Sequence, residues 1–372
     1  MNEIRKPSKR EKILASTFAH NWSDARNVSA SQIIAAMLGL SVPIIVGAAT
    51  GHLQSGVAAA LGGFAMGMQQ GSGALRSRIS NLFYALITGS AAIFIGAVLS
   101  AKGVATLICI PAVAAAAGLF GSISRPLARS TAQFIVFLII AANMNVRGTS
   151  PACIAILFAS GALWTAALSL SLTPLFRAFR PLSDRHGQAD VAQPAHYSTR
   201  QLLRRWRKSL GHLAGWQYTI RITLCLIVAE ITRLLWPHDH SYWISLTVAI
   251  VVHRNLQSAL TRTFQRATGT ALGVLLISML LLGMPPLWAV IALAAVLAAA
   301  RPVLFNVNYI VYAAVTTPLI ILLLDFGKPP SPDIIAARLI ATLIGCLIGL
   351  ILGYTAWSRF AGSSQPVLTG RK

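Results

Sequence analysis

Carboxylates are scarce in this chain. Its 372 residues carry 9 Asp and Glu against 31 Lys and Arg, a formal net charge of +22. An enzyme needs acids, bases or metal ligands converging on a substrate, and with only Glu230 deep in an apolar run that constellation is missing. The 4 cysteines, Cys109, Cys153, Cys225 and Cys346, lie in apolar runs without close pairing and read as packing residues, not as a disulfide framework or zinc site. There is no Walker phosphate loop, which sets aside direct drive by ATP, and no cofactor is expected. Nor is there a short apolar run with a cleavage site near residue 1, so no cleaved signal peptide is expected. The positive charge is scattered over short loops without an aromatic-interleaved basic face, which argues against nucleic acid as the partner.

What the chain has instead is apolar length. Charged residues make up 11% and hydrophobic ones 55%, where soluble proteins average roughly a quarter charged. Apolar runs fall near 30–50, 55–69, 80–99, 104–123, 130–145 and 151–176, then near 218–236, 242–253, 266–283, 286–300, 302–324 and 334–357. A hydrocarbon core of about 30 Å needs roughly 20 such residues per helix, with backbone polar groups satisfied inside each helix. The expected fold is therefore all-α, a polytopic bundle of about 12 transmembrane helices. Alternate gaps hold the basic residues: Arg76 and Arg78, Arg125 and Arg129, the cluster from Arg177 to Lys208, Arg254 with Arg262 and Arg266, and Arg301. By the positive-inside rule those gaps, the basic N-terminus and the tail with Arg359, Arg371 and Lys372 face the cytoplasm. Anionic lipid of the inner leaflet is an expected partner.

The two sets of six runs look alike. Each is preceded by a basic amphipathic stretch ending in Trp with an Arg soon after: Trp22 and Arg26, then Trp206 to Trp216 and Arg221. Such stretches suit the headgroup layer. In each set the second run is short and a polar segment with basic residues follows. Six runs per set, both starting inside, predict parallel repeats related by an axis along the membrane normal. The expected organisation is a cytoplasmic N-terminus at 1–29, a first six-helix repeat at 30–176, a basic linker with an interfacial helix at 177–217, a second repeat at 218–357 and a cytoplasmic tail at 358–372. Gly269 and Gly273, and Gly345, Gly349 and Gly353, stand at the four-residue spacing that lets helices approach closely.

Charges inside a span are costly and usually functional. Glu230 lies one turn before Arg233, so the two fit either proton coupling or a static ion pair. His238, Asp239 and His240 fall short of the three or four ligands of a zinc site and read as vestibule or turn residues. The run Trp243–Val252 is too short to cross, which implies a broken or re-entrant helix lining a cavity. Beyond it come Arg254, then Arg262 and Arg266 on one helix face, a set suited to carboxylates. With Arg76 and Arg78 they fit a ring around an anion pathway, and they fit positive-inside anchoring equally well. Asn143, Asn145, Asn306, Asn308, Tyr309, Tyr312, Thr316 and Thr317 are further polar points at membrane depth, and Pro318 removes a hydrogen bond there.

The stretch from Tyr242-Trp243 through Arg254, Thr261-Arg262, Arg266, Gly269-Thr270 and Gly273, with Arg221 before it, resembles the second-half signature of the fusaric acid resistance (aromatic acid exporter) family. The Gly-Ser-Gly before Arg76 and Arg78 resembles its first-half counterpart. The resemblance implies a bacterial inner-membrane exporter of small organic anions, aromatic carboxylates above all, with Arg254, Arg262, Arg266, Arg76, Arg78, Tyr242, Trp243 and Arg221 meeting the anion. Residues 177–217 are much shorter than the insert in the best-known members, which leaves a periplasmic adaptor open. A homo-oligomer is open too, since the two halves by themselves would complete a pore. A passive organic-anion channel, in which Glu230 and Arg233 couple no proton, is the competing expectation.

Overall fold

A computed structural model describes residues 28–67, 75–100, 103–144, 149–178, 199–236, 238, 240–254, 259–281, 285–324 and 332–357. Among them are thirteen helices and no strand. In chain order these are α1 (Ala30–Ala49), α2 (Leu53–Gly67), α3 (Leu75–Ser100), α4 (Val104–Phe120), α5 (Arg125–Asn143), α6 (Pro151–Ala178), α7 (Thr199–Leu210), α8 (Leu213–Leu235), α9 (Trp243–Val251), α10 (Ala259–Leu281), α11 (Leu287–Val307), α12 (Tyr309–Leu324) and α13 (Pro332–Leu350), which ends in a π-helical turn, Ile351–Thr355. Twelve of them lie on the twelve apolar runs, and α7 lies on the amphipathic stretch before the second set. The N-terminal stretch through Arg26, the Gln69–Ala74 segment, Asn145, Asp239 and the tail beyond 357 lie outside the described residues.

Local chemistry sets the helix ends. Ser29 opens α1 with a capping box, its backbone N–H donating to Gln32 Oε1 at 3.2 Å. Ser124 caps α5, with Pro126 in the first turn where a missing N–H is harmless. Gly51 turns the chain between α1 and α2 at φ 74°, a conformation that a side chain would disfavour.

Two boundaries differ from the sequence reading. Helices α3, α5 and α10 begin inside the basic gaps, so Arg76, Arg78, Arg125 and Arg129 are helical residues rather than loop residues, while Arg262 and Arg266 share one helix as expected. The break expected at Arg301 falls at Asn308 instead. Pro302 is accommodated within α11, while Asn308 adopts extended backbone and its side-chain oxygen takes the Ile310 N–H at 2.7 Å, starting α12. Arg301 is thereby carried inside α11, with 3% of its surface exposed.

The packing partners recur in order. In the first half α1 packs on α2 and α6, α2 on α6, and α3 on α5 and α6; in the second α8 packs on α9 and α13, α9 on α13, and α10 on α12 and α13. Between halves α4 packs on α8 and α11 on α1, while α5 meets α9 and α12 meets α2. Glycines sit at equivalent crossings. A Cβ on Gly161 (α6) would strike the Ala59 carbonyl of α2, and one on Gly345 (α13) the Ile244 carbonyl of α9; likewise Gly96 (α3) lies on α5 and Gly269 (α10) on α12. These are the close backbone approaches that small residues permit, and all are within one chain. The short helices α2 and α9 hold the centre: in α9 every residue except Ile250 is buried.

Among the described residues, six helices are long and apolar enough to cross a membrane, within α1, α3, α5, α6, α11 and α13. Both α8 and α10 are 23 residues long but carry Arg or Glu, and α9, at 9 residues, spans only about 13 Å at 1.5 Å per residue.

Candidate functional site

The end of α9 gathers arginines from three elements. After Val251 the backbone leaves the helix, Val252 turning to extended geometry, and His253 then stands among Arg221 of α8, Arg254 and Arg262 of α10. Arg254 reaches across to the first half, donating from Nη2 to the Gly118 carbonyl of α4 at 2.9 Å with its guanidinium 4.2 Å over the Tyr218 ring. Arg262 lies 4.8 Å over Tyr309. Arg221 is 1% exposed and donates from Nε to the Gly353 carbonyl, in the π-helical turn, at 2.6 Å. Such turns recur at functional sites because they free backbone groups from the regular ladder.

Arg266, one turn beyond Arg262, is 2% exposed and lies near Cys346 of α13. Its Nε and Nη2, and Nη2 of Arg221, have no hydrogen-bond partner among the described residues. Keeping a buried cation in that state costs several kcal/mol. The one acid whose side chain is described, Glu230, is not in this group.

Glu230 belongs to the other end of α9. Its carboxylate accepts from Ser245 Oγ at 2.7 Å and from Arg233 Nη1 at 3.3 Å, and it is 2% exposed. Nearby at that end, the Trp243 ring is fully buried under the guanidinium of Arg338 at 3.8 Å, with Tyr242 edge-on to it. The anticipated residues of the second half therefore divide into two groups, toward opposite ends of a nine-residue helix.

Arg78 stands apart from both. It donates to Ser169 and Thr173 of α6 at 3.2 and 3.0 Å, which ties it within the first half. The Arg76 side chain lies outside the described residues. Arg301 crosses between halves, lying 3.6 Å over the Phe64 ring and donating to the Phe64 carbonyl at 3.3 Å. Gly273 fits against Pro318 and Thr317, so close helix packing occupies that part of α12. Asn143 donates to the Ile139 carbonyl of its own helix. Among the described residues no three His, Cys, Asp or Glu side chains come together for a metal. A cleft of about 320 Å³ opens between α1, α2 and α6, lined by His52, Trp164 and apolar neighbours but by no Arg or Lys.

Sequence reasoning passed over Arg338, Ser245 and His253. Arg338 was accessible to the rule that singled out Glu230, since it too is a charge inside an apolar run; Ser245 and His253 carry no signal until the chain is folded.

The thirteen helices of the described residues, six of them long and apolar enough to cross a bilayer, with arginines sealed between them, define a multi-pass helical membrane protein. Residues 224–352 match the family model of fusaric acid resistance protein-like sequences, the family that the Tyr242–Gly273 stretch resembles. The matched segment holds Glu230, Arg254, Arg262, Arg266 and Arg338 and leaves out Arg221 and the first half. That family is one of membrane transporters and not of enzymes. No curated protein and no solved structure matches the chain.

Proposed function

We propose that this protein is a secondary transporter of the bacterial inner membrane that exports small organic anions, aromatic carboxylates above all, driven by protons returning down their gradient. The observation that carries this reading is the gathering of Arg221, Arg254 and Arg262 around His253 at the broken end of α9, with Arg266 one turn further along α10. Two of them are sealed from solvent with unpaired nitrogens, and no described carboxylate neutralises them. A transient anion with a planar carboxylate would meet those nitrogens in the charge-assisted geometry that guanidinium favours. The tyrosines beside them, Tyr218 and Tyr309, offer aromatic faces. Twelve spans arranged as two parallel repeats, with both termini cytoplasmic, complete the proposal; the recurrence of packing partners and the basic alternate gaps support it. Arg76 and Arg78 are assigned to the first-half entrance, and Tyr242 and Trp243 to the exit.

In this scheme Glu230 is the proton carrier, screened from water and poised beside Arg233. One observation favours a passive anion channel instead: both Glu230 oxygens already accept hydrogen bonds, which suits a static brace. Efflux from cells preloaded with labelled 4-hydroxybenzoate separates the readings, with Arg262→Ala and Glu230→Gln compared with wild type, with and without a protonophore. Loss in both variants and with the protonophore is expected. Loss in Arg262→Ala alone, with the protonophore harmless, would establish the channel, and absence of efflux from wild type would remove this substrate class.

A further inference from the structure

The helix outside the two sets, α7, is joined by two residues to α8, so it is held at the level where α8 meets the bilayer. Arg200, Arg204, Arg207 and Lys208, all exposed, recur at helical spacing on one of its faces, and α7 contains no acid. On the opposite face Trp206 is anchored to the C-terminal end of α4. Its Nε1 donates to the Leu119 carbonyl at 3.1 Å and to Ser122 Oγ at 2.9 Å, and its ring stacks on Phe120. Exposed apolar side chains lie on α7 and on the adjoining first turn of α8, Leu203 at 48%, Leu213 at 82% and Trp216 at 37%. Basic residues bordered by exposed Leu and Trp at the mouth of a membrane helix form the chemistry of an anionic bilayer surface.

The anchor has a second tenant. The last four carbonyls of a helix have no partner inside it, and at the end of α4 two successive ones are claimed from outside: Gly118 by Arg254 of the candidate site, Leu119 by Trp206 of α7. Arg254 also packs against Gly121, one residue short of Ser122. A shift of α7 along or toward the membrane therefore moves the backbone that holds Arg254. We propose that α7 binds anionic phospholipid headgroups of the inner leaflet and that this contact sets the position of Arg254 through the end of α4. The regulatory meaning rests on the transporter reading; the lipid contact and its transmission do not.

Hydrogen exchange of the full chain, in vesicles of phosphatidylcholine alone or with about a third phosphatidylglycerol, tests it without substrate. Anionic lipid is expected to slow exchange about tenfold in 199–210 and measurably in 117–122 and 252–254. Arg204→Gln with Arg207→Gln and Lys208→Gln should abolish all three effects. Trp206→Leu should keep the first and lose the other two. Protection of α7 alone in the wild type would reduce it to a membrane anchor and overturn the coupling; no lipid dependence anywhere would overturn the binding as well. Uptake of labelled benzoate into the same vesicles is scored separately. Its absence would count against the transporter reading while the exchange result stands.

Discussion

A guanidinium held between helices with unpaired nitrogens works against the fold that contains it. Arg266 is such a residue, and no described carboxylate would be stranded by removing it. Arg266→Met should leave stability unchanged or raise it by about 1–3 kcal/mol, since an apolar side chain of similar length replaces a costly buried charge. Arg254→Met should do the reverse. It strips the Gly118 carbonyl of its donor and Tyr218 of its cation, a loss of about 1–3 kcal/mol for a buried acceptor left unmade. Both variants are expected to lose anion efflux. Thermal unfolding of purified protein alongside the efflux assay decides it, and a strongly destabilised Arg266→Met would mean that this residue is a structural brace. The arginines after α9 were legible in the sequence because a basic cluster follows a run too short to cross. Their grouping was less so: Arg78 turned toward Ser169 and Thr173 rather than joining Arg262, a choice made by hydroxyls more than ninety positions away. Arg301 read as a gap charge because a cation interrupts the apolar run there, although the helix continues through it and Pro302 to Val307.

At the scale of elements, the glycines decide how closely helices pass. Gly345 has the Ile244 carbonyl and Thr247 side chain where a Cβ would go, and Gly161 has the Ala59 carbonyl; at Gly67 the nearest atom, Ala36 Cβ, would be 3.6 Å away, an ordinary contact. Gly345→Ala and Gly161→Ala should therefore each cost about 1–3 kcal/mol by forcing backbones apart, while Gly67→Ala is tolerated. The yield of monodisperse protein after mild heating in detergent reads this out, and equal behaviour of all three would refute the proposed crossings. Apolar length alone located the helices, since hydropathy does not depend on partners. The apolar runs begin later than helices α3, α5 and α10 do, because the basic first turns of those helices are polar. Hydropathy stops where lipid stops, and hydrogen bonding does not.

At the scale of the molecule, the open point is which way the bundle faces, and one native thiol addresses it. Arginine and lysine fill alternate gaps, which places the start of α6 on the outer side under the positive-inside rule. Cys153 stands in the first turn of α6 and is exposed, whereas Cys109 is partly covered and Cys225 and Cys346 are buried between helices. A water-borne reagent reaches a thiol at the water boundary, and Cys109 lies further into its apolar helix α4. Intact cells treated with a membrane-impermeant maleimide should therefore label this protein at Cys153, and Cys153→Ser should abolish the signal. The opposite orientation makes a distinct prediction, labelling only after the inner membrane is permeabilised. That result would put the arginines after α9 and the basic face of α7 outside, and would turn the proposed exporter into an importer whose basic mouth meets the anion first.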